Sequence, residues 1–144
     1  MQRLRVAVVT QEGPVGTWVA GQGRRRTGLE VGVIDLAGPA VAARLAAAEA
    51  FVLVTPEDEA SEALLRRAAG SGCVGWRAKP VAFVGSGRAV ETLRAVFAGL
   101  HVVIVTVVVA AFDAAAATAM FEQLEWWGRA LRDPVNGGTH ESGH

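Results

Sequence analysis

Cysteine is almost absent from this chain: Cys73 is the only one in 144 residues. No disulfide can form within the chain, which points to a reducing compartment, the cytoplasm. Cys73 stands between Gly72 and Val74 with no histidine beside it, and reads as an inert thiol. Excess charge is absent too. Fourteen Lys and Arg balance fourteen Asp and Glu, and the pI is about 6.8. A nucleic-acid partner would need a basic stripe, so none is expected. Arg24, Arg25 and Arg26 form the one basic cluster, and it falls where a helix should end, where cations suit the helix dipole. The longest apolar stretch, from Val102 to Phe112 and broken by Thr106, is too short to span a bilayer. No secretory leader is visible ahead of the first apolar run. A soluble protein without a membrane partner is expected.

Motifs that announce a chemistry are missing as well. There is no phosphate-binding P-loop. Gly85-Ser86-Gly87 lacks the third glycine of a dinucleotide fingerprint and the acid that should follow. His101 and the two histidines of the tail form no metal spacing, so no metal site is expected. Ser86 has no histidine in plausible reach, which argues against a hydrolase triad.

What the chain has is apolar sequence in alternating patterns. Hydrophobic residues make up 51% of it, enough for one well-filled domain. Five β-branched runs recur at Leu4–Thr10, Leu29–Leu36, Ala50–Thr55, Pro80–Ser86 and His101–Val109. Each is nearly continuously apolar, as strands buried on both faces are. Helical spacing lies between them: a helix opened by Pro14, then Val41–Ala48, Ser61–Ala69, Ala89–Ala98 and Ala114–Arg132. In the last, Met120, Leu124, Trp127 and Leu131 share a face, and of Trp126 and Trp127 one should be core. The other is free to pack on a second subunit, so a homodimer is expected. Strict βα alternation predicts a three-layer α/β/α domain over 1–132 with five parallel strands, and in the flavodoxin-like arrangement expected here their order is 2-1-3-4-5. Pro134 should stop the last helix and leave 133–144 disordered.

In such a sheet, ligands bind beyond the C-terminal strand ends, where the strand order reverses. Three loops make that edge: Thr10–Thr17, Thr55–Ser61 and Gly85–Arg88. His101 begins the fifth run and should lie at the opposite edge, as a structural residue.

Here the chain resembles the NAD(P)H-dependent FMN reductases. That family ends its third strand in Thr-Pro-Glu-Tyr-Asn, followed by a serine and a Leu-Lys pair. This chain has Thr55-Pro56-Glu57, then Ser61 and Leu65-Arg66. Trp76–Val84, Arg88–Arg94, Ala98–His101 and Leu124–Arg132 also resemble the family, its actinobacterial members in particular. The resemblance runs to about Arg132 and implies the fold. It departs at the flavin loops. The family's first loop is Gly-Ser-x-Arg, and its donors hold the FMN phosphate at a helix N-terminus. Here the loop is Gln11-Glu12-Gly13-Pro14: the serine and arginine are gone, Glu12 brings negative charge and Pro14 removes an amide donor. Asp58 and Glu59 replace the Tyr-Asn that would face the flavin ring, and the third loop and the one after strand five are shortened.

The departures lead to three readings. In the first, the scaffold is a flavin-independent enzyme that needs no cofactor. It takes a small apolar metabolite as its partner and acts by acid–base or shape-driven catalysis of the cyclisation or isomerisation type, as in bacterial secondary metabolism. The acids would be Glu12, Glu57 and Asp58, whose proton affinity rises in a partly apolar cleft, with Arg88 orienting an oxyanion. Thr10, Gln11, Trp18, Thr55, Glu59, Ser61 and Ser86 would bind the substrate. The second reading is an FMN or quinone reductase with unusual loops, holding FMN. The third is a non-catalytic binding or assembly protein. Acids at a helix start also serve simply to cap amides, the plain alternative for Asp58 and Glu59.

Overall fold

The computed structural model describes residues 3–10, 13–35, 38, 40–55, 79–85, 87–98, 103–104, 109–110 and 112–140. Five strands, β1 (Leu4–Thr10), β2 (Leu29–Asp35), β3 (Ala50–Val54), β4 (Pro80–Val84) and β5 (Val103–Ile104), form one sheet in the order β2-β1-β3-β4-β5. Every pairing is parallel. The helices are α1 (Pro14–Arg24), α2 (Val41–Ala47), α3 (Gly87–Ala98) and α4 (Ala114–His140). The expected helix at Ser61–Ala69, His101 and Cys73 lie outside the described residues.

Period-two alternation divides each central strand between two cores. Leu4, Val6 and Val8 of β1 join Val52, Ala82 and Val84 against Val19 and Ala20 of α1 and Ala117, Met120, Phe121 and Leu124 of α4. Ala7 and Val9 join Phe51, Leu53, Val81 and Phe83 against Leu45 of α2 and Val90 and Phe97 of α3. Phe83 and Phe97 meet edge to face, ring centroids 6.0 Å apart. Both faces are covered, which is why these runs carry almost no polar residue.

The lone lysine ties the layers together. Lys79 Nζ donates to the carbonyls of Leu45 (3.4 Å) and Ala46 (3.1 Å) at the end of α2, and lies 5.6 Å from the Phe51 ring centre. A cation there satisfies carbonyls that a helix end leaves unpaired.

The fifth run pairs at Val103–Ile104 and again through Val109, which bridges to Val84; residues 101–102 and 105–108 lie outside the described set. Two sequence expectations change. Neither tryptophan of α4 is core: Trp126 is 63% exposed and Trp127 37%. The buried seam runs through Ala117, Met120, Phe121, Leu124 and Gly128, keeping the expected Met120 and Leu124 but passing Trp127 by. Gly128 allows it, since a Cβ there would lie 2.5 Å from Leu4 Cδ2. Close approach of α4 to β1 thus rotates the large rings outward. Lastly, α4 continues helically through Pro134 to His140. A proline deletes one amide donor without itself reversing the chain, so the backbone can keep its direction.

At the N-terminal end of the sheet, Glu125 joins α4 to the turn after α1. Its carboxylate accepts from Arg26 Nη2 (2.9 Å) and Arg129 Nη2 (3.1 Å), and Arg129 also donates to the Gly28 carbonyl (3.0 Å). Burial pushes the Glu125 carboxyl up, but the bonds and charges of the two guanidinium groups together hold it below its ordinary value of 4.5. A depressed folded value gives stability that is present above the unfolded range and lost as pH falls through the folded value. Glu125→Gln should therefore cost on the order of 1 kcal/mol at neutral pH. In thermal melts, the gap between wild type and variant should close as pH drops below about 4.5; a gap that persists unchanged would contradict the role given to this carboxylate.

Candidate functional site

The strand order reverses between β1 and β3, and their C-terminal ends define the candidate site. Of the residues singled out from sequence, Thr10 closes β1, Thr55 follows β3, and Trp18 lies in the second turn of α1. Arg88 is the second residue of α3. Gln11, Glu12, Glu57, Asp58, Glu59, Ser61 and Ser86 lie outside the described residues.

The entrance to α1 begins with a glycine and a proline. Gly13 is the N-cap, in extended backbone, and offers no side chain to cap with. Pro14 follows at the first helical position, where its missing amide is tolerated. Thr17 bonds back along its own helix: its hydroxyl donates to the Gly13 carbonyl (3.3 Å), and so does its amide (3.4 Å). Gly16 packs directly on Thr10. A Cβ on Gly16 would sit 2.7 Å from Thr10 Oγ1, so the first turn of α1 approaches the end of β1 only because this residue is glycine.

Thr55 is 7% exposed. Both its amide (2.8 Å) and its hydroxyl (3.0 Å) donate to the carbonyl of Val84. The next residue on that strand, Gly85, has φ +144°, and its amide donates to the Val109 carbonyl (2.9 Å). A Cβ on Gly85 would collide with Thr55 Oγ1. The Thr55 hydroxyl therefore locks β3 to β4 at the rim.

Sequence reasoning missed Phe112. The Asp113 amide donates to the Ala110 carbonyl (3.2 Å), closing a turn, and Asp113 Oδ1 accepts from the Ala116 amide (3.1 Å) to cap α4. Phe112 occupies that turn at φ 64°, a left-handed conformation that disfavours any residue with a Cβ and suits glycine. It is 58% exposed, and its ring meets Trp18 with centroids 5.4 Å apart and planes tilted by 52°. An apolar aromatic surface thus stands beside the α1 entrance, linking α1 to the turn ahead of α4. The sequence held only a weak signal for it: an aspartate before an alanine run marks a helix start, but nothing marks the phenylalanine before it as left-handed.

A groove of about 240 Å³ lies elsewhere, along β1, β2 and α2, with Arg5, Ala7, Glu30, Gly32, Arg44 and Ala48 among its lining residues. It contains none of the candidate residues. Among the described residues no group of His, Cys, Asp and Glu is placed to hold a metal ion, and no helix is long and apolar enough to cross a membrane.

No protein-family model matches the chain, and no curated protein matches it. Solved structures do. The chain is similar to a diflavin flavoprotein from Nostoc sp. (16% identity, 94% of this chain and 97% of that one, TM-score 0.59). It is similar to the flavodoxin-like domain of a Synechococcus sp. protein (17%, 89% and 98%, TM-score 0.60). It is also similar to oxidised flavodoxin 1 from Bacillus cereus (17%, 92% and 98%, TM-score 0.56). These likenesses show the fold: a flavodoxin-like α/β domain.

Three substitutions test the rim. Gly85→Ala should destabilise by about 2 kcal/mol or more, combining a disfavoured φ with the collision at Thr55. Urea unfolding of Gly85→Ala with Thr55→Ala should recover the steric part only, giving a non-additive cycle; full additivity would contradict the contact. Phe112→Gly removes the left-handed penalty and the ring contact together, each roughly 1 kcal/mol. Its midpoint should stay within about 1 kcal/mol of wild type.

Proposed function

We propose that this protein is a flavin-independent enzyme on a flavodoxin-like scaffold. It holds a small apolar metabolite at the C-terminal edge of the sheet, against Trp18 and Phe112. It acts by acid–base or shape-driven catalysis of the cyclisation or isomerisation type. The observation that carries the reading is the α1 entrance. A phosphate dianion held at a helix N-terminus needs several donors and positive potential. Here Pro14 has no amide hydrogen, Gly13 has no side chain, and the Thr17 hydroxyl is engaged on the Gly13 carbonyl. Glu12 stands next to this entrance in sequence. These residues do not fit an FMN phosphate.

Glu12, Glu57 and Asp58 are our candidates for general acid and base, and Arg88 for orienting a developing oxyanion. Gln11, Glu59, Ser61 and Ser86 complete the substrate-binding set proposed on those loops, with Thr10, Trp18 and Thr55. The Thr55 hydroxyl already serves the sheet, so its part would be to shape the rim.

A second reading is favoured by the structural likenesses, whose names include a flavodoxin and a diflavin flavoprotein. In it the protein is an FMN-dependent reductase of the NAD(P)H family that the sequence resembles. The two readings separate on FMN affinity. Losing two or three charge-assisted hydrogen bonds at roughly 1.5–3 kcal/mol each weakens binding by several powers of ten. Titration followed by flavin fluorescence should give a dissociation constant of about 100 μM or weaker. A value below about 1 μM would overturn the flavin-independent reading in favour of the reductase.

A further inference from the structure

β2 is an edge strand, and its outward backbone groups can be assigned. The Leu4 amide donates to the Gly28 carbonyl (2.9 Å), and Leu4 is in register with Leu29. In a parallel ladder that phase turns Gly28, Glu30, Gly32 and Ile34 toward β1. Leu29, Val31, Val33 and Asp35 then present their amides and carbonyls away from the sheet. Such a row is a template for another strand.

The chain answers this row from its own side chains and turns. Arg24, the last residue of α1, donates from Nε (3.4 Å) and Nη2 (3.3 Å) to the Val31 carbonyl. Arg44 of α2 donates from Nη2 to the Val33 carbonyl at 2.7 Å. The Leu29 amide donates to the Arg26 carbonyl (3.2 Å), and the Asp35 carbonyl accepts from the Gly38 amide (2.9 Å). α1 and α2 cover opposite faces of the sheet, so the two guanidinium groups reach the same edge from both sides. Both side chains are exposed and neither arginine belongs to the core.

We propose that the outer edge of β2 is a self-pairing surface held shut by Arg24 and Arg44, and that its occupant, once they are removed, is a second copy of this chain. Most oligomers of identical chains are two-fold symmetric. A two-fold axis beside Gly32 sets Val31 of one copy opposite Val33 of the other, antiparallel, where the two residues exchange both of their hydrogen bonds. The carbonyls that such a pair needs are the two that the arginines occupy. Among the described residues Gly32 leaves the α2 face of this edge open: it is exposed, with nothing within 4 Å of where a Cβ would be. Two fixed positive charges at the edge would also repel their symmetry mates. This proposal is independent of the function proposed above.

Sedimentation velocity across a concentration series tests it, with far-UV circular dichroism to check folding. Arg24→Ala with Arg44→Ala should raise the weight-average mass about twofold or more over wild type at the same concentration. Adding Val31→Pro deletes the outward amide of that residue, which no neighbour on β1 uses, and should return the mass to the wild-type value. A double variant that sediments as wild type throughout the series overturns the proposal. So does an increase that the proline fails to reverse, since association would then use another surface. If the double variant does not fold, Arg44→Ala alone, which breaks the shorter bond, decides: a smaller increase of the same proline-reversible kind supports the proposal, and none overturns it.

Discussion

β1 is buried on both faces, and the rest of the molecule is arranged around that burial. Leu4, Val6 and Val8 enter one core, and Ala7 and Val9 the other, each nearly or fully excluded from water. Covering a strand on both sides needs helices on both sides, and right-handed crossovers between parallel strands supply them. Large side chains buried on these faces, such as Phe51, Leu53 and Phe83, contribute roughly 1.5–3 kcal/mol each. With both faces committed to packing, polar chemistry is left to the strand ends and the open edge.

The two ends and the edge are handled differently. At the N-terminal end, Glu125, Arg26 and Arg129 form a charge-paired clamp, and Lys79 closes the end of α2. At the outer edge, arginines from both helical layers occupy strand carbonyls. At the C-terminal end, Thr10 lies under Gly16, the Thr17 hydroxyl closes on Gly13, and Thr55 locks β3 to β4. There the conformationally costly residue is Phe112, left-handed and exposed. Strain of this kind collects where a surface serves a purpose other than folding. That links the turn before α4 to the proposed ligand edge.

Much of the fold was legible because burial on two faces leaves an unmistakable apolar run. Leu4–Thr10 matches β1 to the residue, and α1 and α2 begin where Pro14 and Val41 predict. The phase of α4 was legible at Met120 and Leu124 but not at Trp127. Trp127 is more apolar than Gly128, yet Gly128 lies on the core because the approach of Leu4 leaves no room for a side chain. Such a preference belongs to the packed pair of elements and not to the helix alone. Of the candidate site residues, Thr10, Trp18, Thr55 and Arg88 lie among those described, and the packing roles of the threonines were not legible. Thr55 reads as a polar loop residue, and its commitment to the Val84 carbonyl appears only when β4 lies beside it. Phe112 escaped because sequence patterns associate left-handed turns with glycine and asparagine.

A flavodoxin-like scaffold that works without a flavin should not retain one, and the visible absorption spectrum of the protein purified, incubated with excess FMN and then desalted shows whether it does. A colourless protein with no flavin bands above background is expected. A yellow protein that retains close to one flavin per chain would contradict it, and would mean that the α1 entrance recruits donors from the loops that follow β3 and β4.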